Sequence, residues 1–329
     1  MSSMIVRGID FGRVLNSSGA RGFFGEGYWF HRLFPGLDYR GSTFVAKTTT
    51  LEARAGNMPL RGDYTPAEVS PKCIVVKPWK GVVLNSVGLS GPGIAPLLRR
   101  WSGYHGFPDS PGGKMISVMS VLPDSKDRAD EMRKIADAVH ASDLPRDVGV
   151  QLNLSCPNVG LNPSYLVQDA QAQLDALRPL GRPIFLKVNV LFPVEAALEL
   201  SKQPGCDGFV VSNTIPWGKL PERIDWRRLF GSDVSPLASI GGGGLSGKPL
   251  LPLVTEWVRS ARAAGVHHFA KIVGGGGILS VRDAAEMVSS GVDAIELGSI
   301  SILRPWRVAS VIRYANDMIP RSMPLRALT

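Results

Sequence analysis

The sequence predicts an α/β protein in which short apolar strands alternate with amphipathic helices, and three observations carry that prediction. The stretch Val150-Gln-Leu-Asn-Leu-Ser-Cys156-Pro-Asn158 starts with the apolar/polar alternation of a strand and breaks at Pro157. It thereby leaves two carboxamides, a hydroxyl and a thiol at the C-terminal end of the strand, where an α/β barrel does its chemistry. The same unit recurs as Met115 to Val121 before a helix at about 125–141, and as Pro183 to Asn189 before a helix at about 193–203. Late in the chain, glycine turns follow apolar strands at Gly274–Gly277 and at Gly298-Ser299. This spacing is that of a (β/α)8 barrel with insertions, and 329 residues at 44% apolar composition suit one such domain over residues 1–329.

Composition excludes several classes. No run of 18 apolar residues occurs, and the N-terminus lacks a basic segment followed by an apolar one, so a soluble, cytoplasmic protein with no membrane partner is expected. Cys73, Cys156 and Cys206 lie far apart with no C-x-x-C, which argues against a disulfide framework, a zinc site or a self-supplied iron–sulfur cluster. The histidines show no metal-ligand spacing, and no metal is expected. The formal charge of +9 is scattered, without a Lys/Arg tract or a nucleic-acid-binding module, so nucleic acid is not an expected partner. A basic balance also concentrates small anionic ligands.

In chain order, Asn16-Ser-Ser-Gly19 is a turn whose small residues let the backbone approach a flat ligand closely, and Gly22 to Phe30 is rich in glycine and aromatics. Thr43 to Ala46 reads as a short strand ending in Lys47 and a threonine cluster. Val82 to Asn85 repeats the pattern of apolar strand, amide and glycine-permitted turn. After the central stretch, Pro163 opens a helix whose stripe of Leu166, Val167, Ala170, Leu174 and Leu177 is core packing. Lys187 lies near the end of one strand, and Ser212-Asn213-Thr214 ends the strand from Gly208. Asn85, Asn153, Asn158 and Asn213 form a constellation, since each carboxamide offers donor and acceptor, the inventory needed to hold a cyclic imide. Gly274–Gly277 opens a helix with apolar Val281, Ala284, Ala285 and Val288, a place where backbone N–H groups bind an anion. Gly242-x-Gly244-x-x-Gly247 satisfies a dinucleotide pattern only weakly, because the strand before it is poor and Pro249 follows at once. Paired glycine turns with Gly298-Ser299 favour a mononucleotide phosphate.

Several of these segments carry a resemblance. Asn153-Leu-Ser-Cys-Pro-Asn158 resembles the catalytic segment of the dihydroorotate dehydrogenases, in the form used by their soluble, cysteine-using class. Lys47-Thr-Thr-Thr-Leu-Glu-Ala-Arg-Ala-Gly-Asn57 is similar to the family's flavin-lysine signature, and Asn85-Ser-Val-Gly-Leu89 to its substrate-carboxylate segment, with Val87 in place of the usual Met. The resemblance runs from about Gly8 to Pro305 in family order. It implies an FMN enzyme that oxidises dihydroorotate to orotate in pyrimidine biosynthesis, with Cys156 as base. Lys47 would serve both substrate and flavin. Asn85, Val87, Gly88, Leu89, Asn153, Asn158, Asn213 and Thr214 would hold the substrate. For FMN it implies Ser17, Ser18 and Gly19 at the ring, Lys187 near the ribityl chain or the ring edge, with Thr48, Asn85, Asn153 and Ser212, and Gly247, Gly276, Gly277, Gly298 and Ser299 toward the phosphate.

The resemblance also implies a homodimer, with fumarate as the first expectation for the electron acceptor. Two other readings stay open at this point. One is a flavin dehydrogenase of another cyclic amide, of the dihydropyrimidine type, which Thr214 suits equally. The other is a non-catalytic FMN-binding barrel, for which the departures at Val87 and in the loop from Trp101 to Gly113 leave room.

Overall fold

The computed structural model describes residues 4–34, 37–102, 112–154 and 163–318. Its main sheet has seven strands in the order Val14–Asn16, Ala294–Leu297, Lys271–Gly275, Gly208–Val211, Ile184–Val188, Val148–Asn153 and Lys114–Val118. Every neighbouring pair is parallel. The segment 43–49 reaches both edges of this sheet through single bridges, Leu15 to Thr43 on one side and Val45 to Met115 and Thr49 to Val118 on the other. The strand expected at Thr43–Ala46 is thus a set of isolated parallel bridges rather than a ladder. The architecture is a curled parallel sheet wrapped by helices.

The period of two along each strand builds this sheet in layers. Leu15, Val45, Met115, Phe185, Val210, Val273 and Ala294 point inward and pack as one apolar cluster with Met4, Val6 and Phe11. The hairpin Ile5–Val6 with Ile9–Asp10 closes that end, and the Phe11 ring meets Phe185 edge-on at 5.7 Å. Two residues further along, six of these seven positions are followed by a polar side chain, Ser17, Lys47, Ser117, Lys187, Ser212 and Glu296, and Val273 by Gly275. An apolar plug at the N-terminal ends of the strands therefore supports a polar layer at their C-terminal ends.

Helices cover the outside of the sheet. Ser125–His140 buries Met132, Ile135, Ala136 and Val139, the one-sided spacing of an amphipathic helix. Val281–Ser289 starts at Ser280, whose hydroxyl accepts from the Asp283 backbone N–H. Pro163–Leu177 and Val194–Ser201 fall where the sequence predicts helices.

One expectation changes at Val82. Val82–Asn85 forms a strand, but in a second, antiparallel sheet of order Ile215–Pro216, Gly244–Gly247, Val82–Asn85, Ile74–Lys77. Half of the first glycine cluster is therefore strand rather than turn. The close approach explains the glycine: a Cβ on Gly247 would lie 2.2 Å from the Gly81 carbonyl oxygen. This sheet brings Asn85 to the same cavity as Lys47, Lys187, Ser212 and Glu296 of the polar layer.

Candidate active site

A cavity of about 740 Å³ opens where the polar layer, the antiparallel sheet and the segment from Tyr28 to Phe34 meet. Of the residues singled out from the sequence, it is lined by Ser17, Ser18, Gly19, Lys47, Thr48, Asn85, Val87, Gly88, Leu89, Asn153, Lys187, Ser212, Asn213, Thr214, Gly276, Gly298 and Ser299. Gly247 and Gly277 are not among the residues that line it. Cys156 and Asn158 lie outside the described residues, as does most of the loop between Trp101 and Gly113.

The floor of the cavity is an ionic cluster. Lys187 and Glu296 are 3% and 2% exposed, and the lysine Nζ lies 3.1 and 2.9 Å from the two carboxylate oxygens. Ser17 Oγ donates to Glu296 Oε2 at 3.0 Å, and Gln151 Nε2 donates to Glu296 Oε1 at 3.3 Å. Lys187 also donates to Ser17 Oγ at 3.0 Å. Glu296 and Gln151 were not foreseen; the signal was an acid inside an otherwise apolar four-residue strand, two positions after the plug residue Ala294.

Lys47 lines the same cavity. It is 8% exposed, its Nζ donates to the Ser90 carbonyl and lies 4.7 Å from the centre of the Phe23 ring. Burial pulls its pKa from 10.5 down to about 8, an effect that Cys73 and Glu26 oppose. The carboxamides are linked: Asn213 Nδ2 donates to Asn153 Oδ1 at 2.7 Å, and Asn153 Nδ2 donates to Thr48 Oγ1 at 3.3 Å. Thr48 in turn shares a hydroxyl bond with Ser117 at 2.9 Å. These bonds fix the amide planes before any ligand arrives, which is preorganisation for a ring with alternating donors and acceptors.

Ser212 Oγ, in the cavity wall, and Gln151 Oε1, beside Glu296, are among the buried polar atoms that have no partner among the described residues. A buried hydroxyl left unpaired is disfavoured, so an unmatched Ser212 Oγ in a cavity wall suits a ligand that supplies its bond. Gly276 keeps that hydroxyl reachable. It has φ +96°, and a Cβ there would fall 2.6 Å from Ser212 Oγ and 3.1 Å from Leu250 Cβ. Gly276→Ala is expected to destabilise the fold by about 1–3 kcal/mol, read as a lower denaturation midpoint, since strained left-handed positions cost amounts of this order. An unchanged midpoint would show that the turn tolerates a side chain.

Neither Cys73 nor Cys206 lines the cavity; both are free and buried, and burial pushes both thiols up. No group of three or more metal-ligating side chains occurs among the described residues, and no described helix is long and apolar enough to cross a membrane.

Fold and site together define an α/β protein of the barrel-like class. Its strand ends present two buried lysines and a set of paired carboxamides to one cavity. Comparison with known proteins narrows the class. A family model described as dihydroorotate dehydrogenase matches residues 6–318, and the chain belongs to that family. It is 29% identical over 290 residues to a putative dihydroorotate dehydrogenase A (fumarate) of Pediococcus pentosaceus, covering 82% of this chain and 80% of that one. It is 28% identical over 322 residues to the catalytic subunit of dihydroorotate dehydrogenase B (NAD(+)) of Enterococcus faecalis, covering 94% and 87%. Among solved structures it resembles DHODH from Eimeria tenella in complex with ferulenol, with a TM-score of 0.66 at 18% identity over 95% of this chain and 82% of that one. The ligand-free form of that protein gives 0.64 at 19% identity, over 96% and 86%. These last two likenesses concern the fold.

Proposed function

We propose that this chain is a flavin-dependent dihydroorotate dehydrogenase that oxidises dihydroorotate to orotate in pyrimidine biosynthesis, with FMN as the flavin. The observation that carries the reading is the convergence on one cavity of two buried lysines, the linked amides of Asn153 and Asn213, and Asn85 from a separate sheet. A ring bearing a carboxylate and alternating N–H and C=O groups satisfies that inventory, and a site built this way rejects analogues that lack those groups.

FMN fits the residues present. Ser17, Ser18 and Gly19 form the turn beside Lys187, and Ser212 offers its unmatched hydroxyl. Gly276, Gly298 and Ser299 line the same wall, and their glycine-permitted backbone suits a phosphate. When bound, the flavin supplies a hydride acceptor for C6 of the substrate. The chain supplies the rest: Cys156 takes the proton from C5, the asparagines orient the ring, and Lys47 holds its negative charge. The proton and hydride leave from adjacent carbons, so the ring gains a C=C bond and loses two hydrogens.

In this reading the segment 43–49 is the eighth stave of a closed (β/α)8 barrel, and residues 1–329 are one domain. Fumarate is the acceptor, a homodimer the assembly and the cytoplasm the compartment. The relative of P. pentosaceus named for fumarate supports the acceptor.

Anaerobic titration of the purified protein separates this reading from a dihydropyrimidine type. Dihydroorotate is expected to bleach the flavin absorbance while dihydrouracil, which lacks the carboxylate, leaves it unchanged. Bleaching by dihydrouracil alone would move the chain to the other reaction, and bleaching by neither would favour a non-catalytic flavin barrel.

A further inference from the structure

Resting on the flavin reading, we propose that Glu296 is a positioning residue. It fixes Lys187 against Ser17 and Ser18 and cancels its charge, so that the bound flavin keeps a lower reduction potential than a lone ammonium would give it. Three donors converge on this one carboxylate: Lys187 Nζ at 2.9 Å, Ser17 Oγ at 3.0 Å and Gln151 Nε2 at 3.3 Å. Glu296 and Lys187 are both almost wholly buried, and both line the cavity.

Fixing Lys187 does not by itself call for an acid. An amide at position 296 could accept from the lysine with its oxygen. Its NH2 could donate to Gln151 Oε1, which is unpartnered among the described residues and would meet it after a turn of that amide. The carboxylate therefore adds charge that the hydrogen bonds do not require. In a low-dielectric floor that charge matters. An isolated ammonium there favours the reduced, more negative flavin, whereas an ion pair presents little net charge to it. Lys47, by contrast, donates to a neutral carbonyl, that of Ser90, and faces the Phe23 ring, so the two lysines divide the work: Lys47 acts as the cation of the site and Lys187 as half of a dipole.

The test is the midpoint potential of bound FMN, measured by dye-equilibrated anaerobic titration on the flavin-loaded protein. Glu296→Gln is expected to raise the ratio of reduced to oxidised flavin at a fixed poise about tenfold, an upward shift of about 30 mV for a two-electron couple. Glu296→Asp keeps the charge and is expected to stay near the wild-type potential. The double variant Lys187→Gln/Glu296→Gln removes both charges and is expected to return toward it. An unshifted or lowered potential in Glu296→Gln, with the visible spectrum showing FMN bound, overturns the proposal. So does an equal upward shift in Glu296→Asp, or loss of FMN uptake in Glu296→Gln. If the wild-type protein itself takes up no FMN, its spectrum lacks the flavin bands, and the flavin reading falls together with this one.

Discussion

Cys156→Ala is expected to lower the rate at which dihydroorotate reduces the bound flavin by about 10²–10⁴-fold at neutral pH, the range that a positioned general base contributes. FMN should stay bound, because the side chains proposed to hold it are unchanged. The size of the loss depends on whether another thiol can stand in, and here none of the described ones can. Cys73 and Cys206 are buried, neither reaches the cavity, and burial pushes both away from the thiolate form. A thiol with an unperturbed pKa of about 8.5 is only partly ionised at pH 7, so the wild-type rate should climb with pH toward that value. Cys156→Ser should recover activity only at higher pH. Stopped-flow reduction in the absence of acceptor reads all three; wild-type-like reduction in the alanine variant would remove Cys156 from the reaction.

Polar residues at strand ends made much of the site legible in the sequence. Lys47, Asn153 and Lys187 each follow an apolar run by the fixed period of a strand, so their inward position on a common layer follows from local pattern alone. Glu296 obeys the same period but was not recognised, because its meaning lies in its partner. Lys187 is 109 positions away in the chain, and no local periodicity announces a buried ion pair. The antiparallel sheet was hidden for a related reason. Glycine reads as turn, yet Gly244–Gly247 is a strand, because pairing with Val82–Asn85 leaves no room for a Cβ at Gly247. The aromatic run near Tyr28 has no period that marks its place in the site. Trp29, Phe30 and Leu33 line the cavity, with Trp29 and Leu33 half or more exposed, while Tyr28 donates to the Gly19 carbonyl at 2.6 Å and braces the turn beside Lys187.

Orotate affinity is expected to fall about tenfold per pH unit once pH exceeds about 8, and Lys47 is the cause. Burial against Phe23 lowers its folded-state pKa to about 8, so below that pH the ammonium proposed to receive the anionic ligand is already present. Above it, binding must first take up a proton, and affinity declines with the free proton concentration. Lys47→Met should weaken orotate binding at pH 7 by about 2–5 kcal/mol, the usual consequence of removing one member of a buried charge pair, and should erase the inflection near pH 8. Stability of the ligand-free protein should move the other way. Between about 8 and the unfolded-chain value of about 10.4, the unfolded chain holds more protons on Lys47 than the folded one, so this residue's contribution is largest above the upper value and is lost as pH falls through about 8. Opposite slopes for orotate affinity and ligand-free stability across that window, both flattened in Lys47→Met, would identify one buried ammonium as the origin of both. Parallel slopes, or an inflection that survives the substitution, would assign the titration to another group.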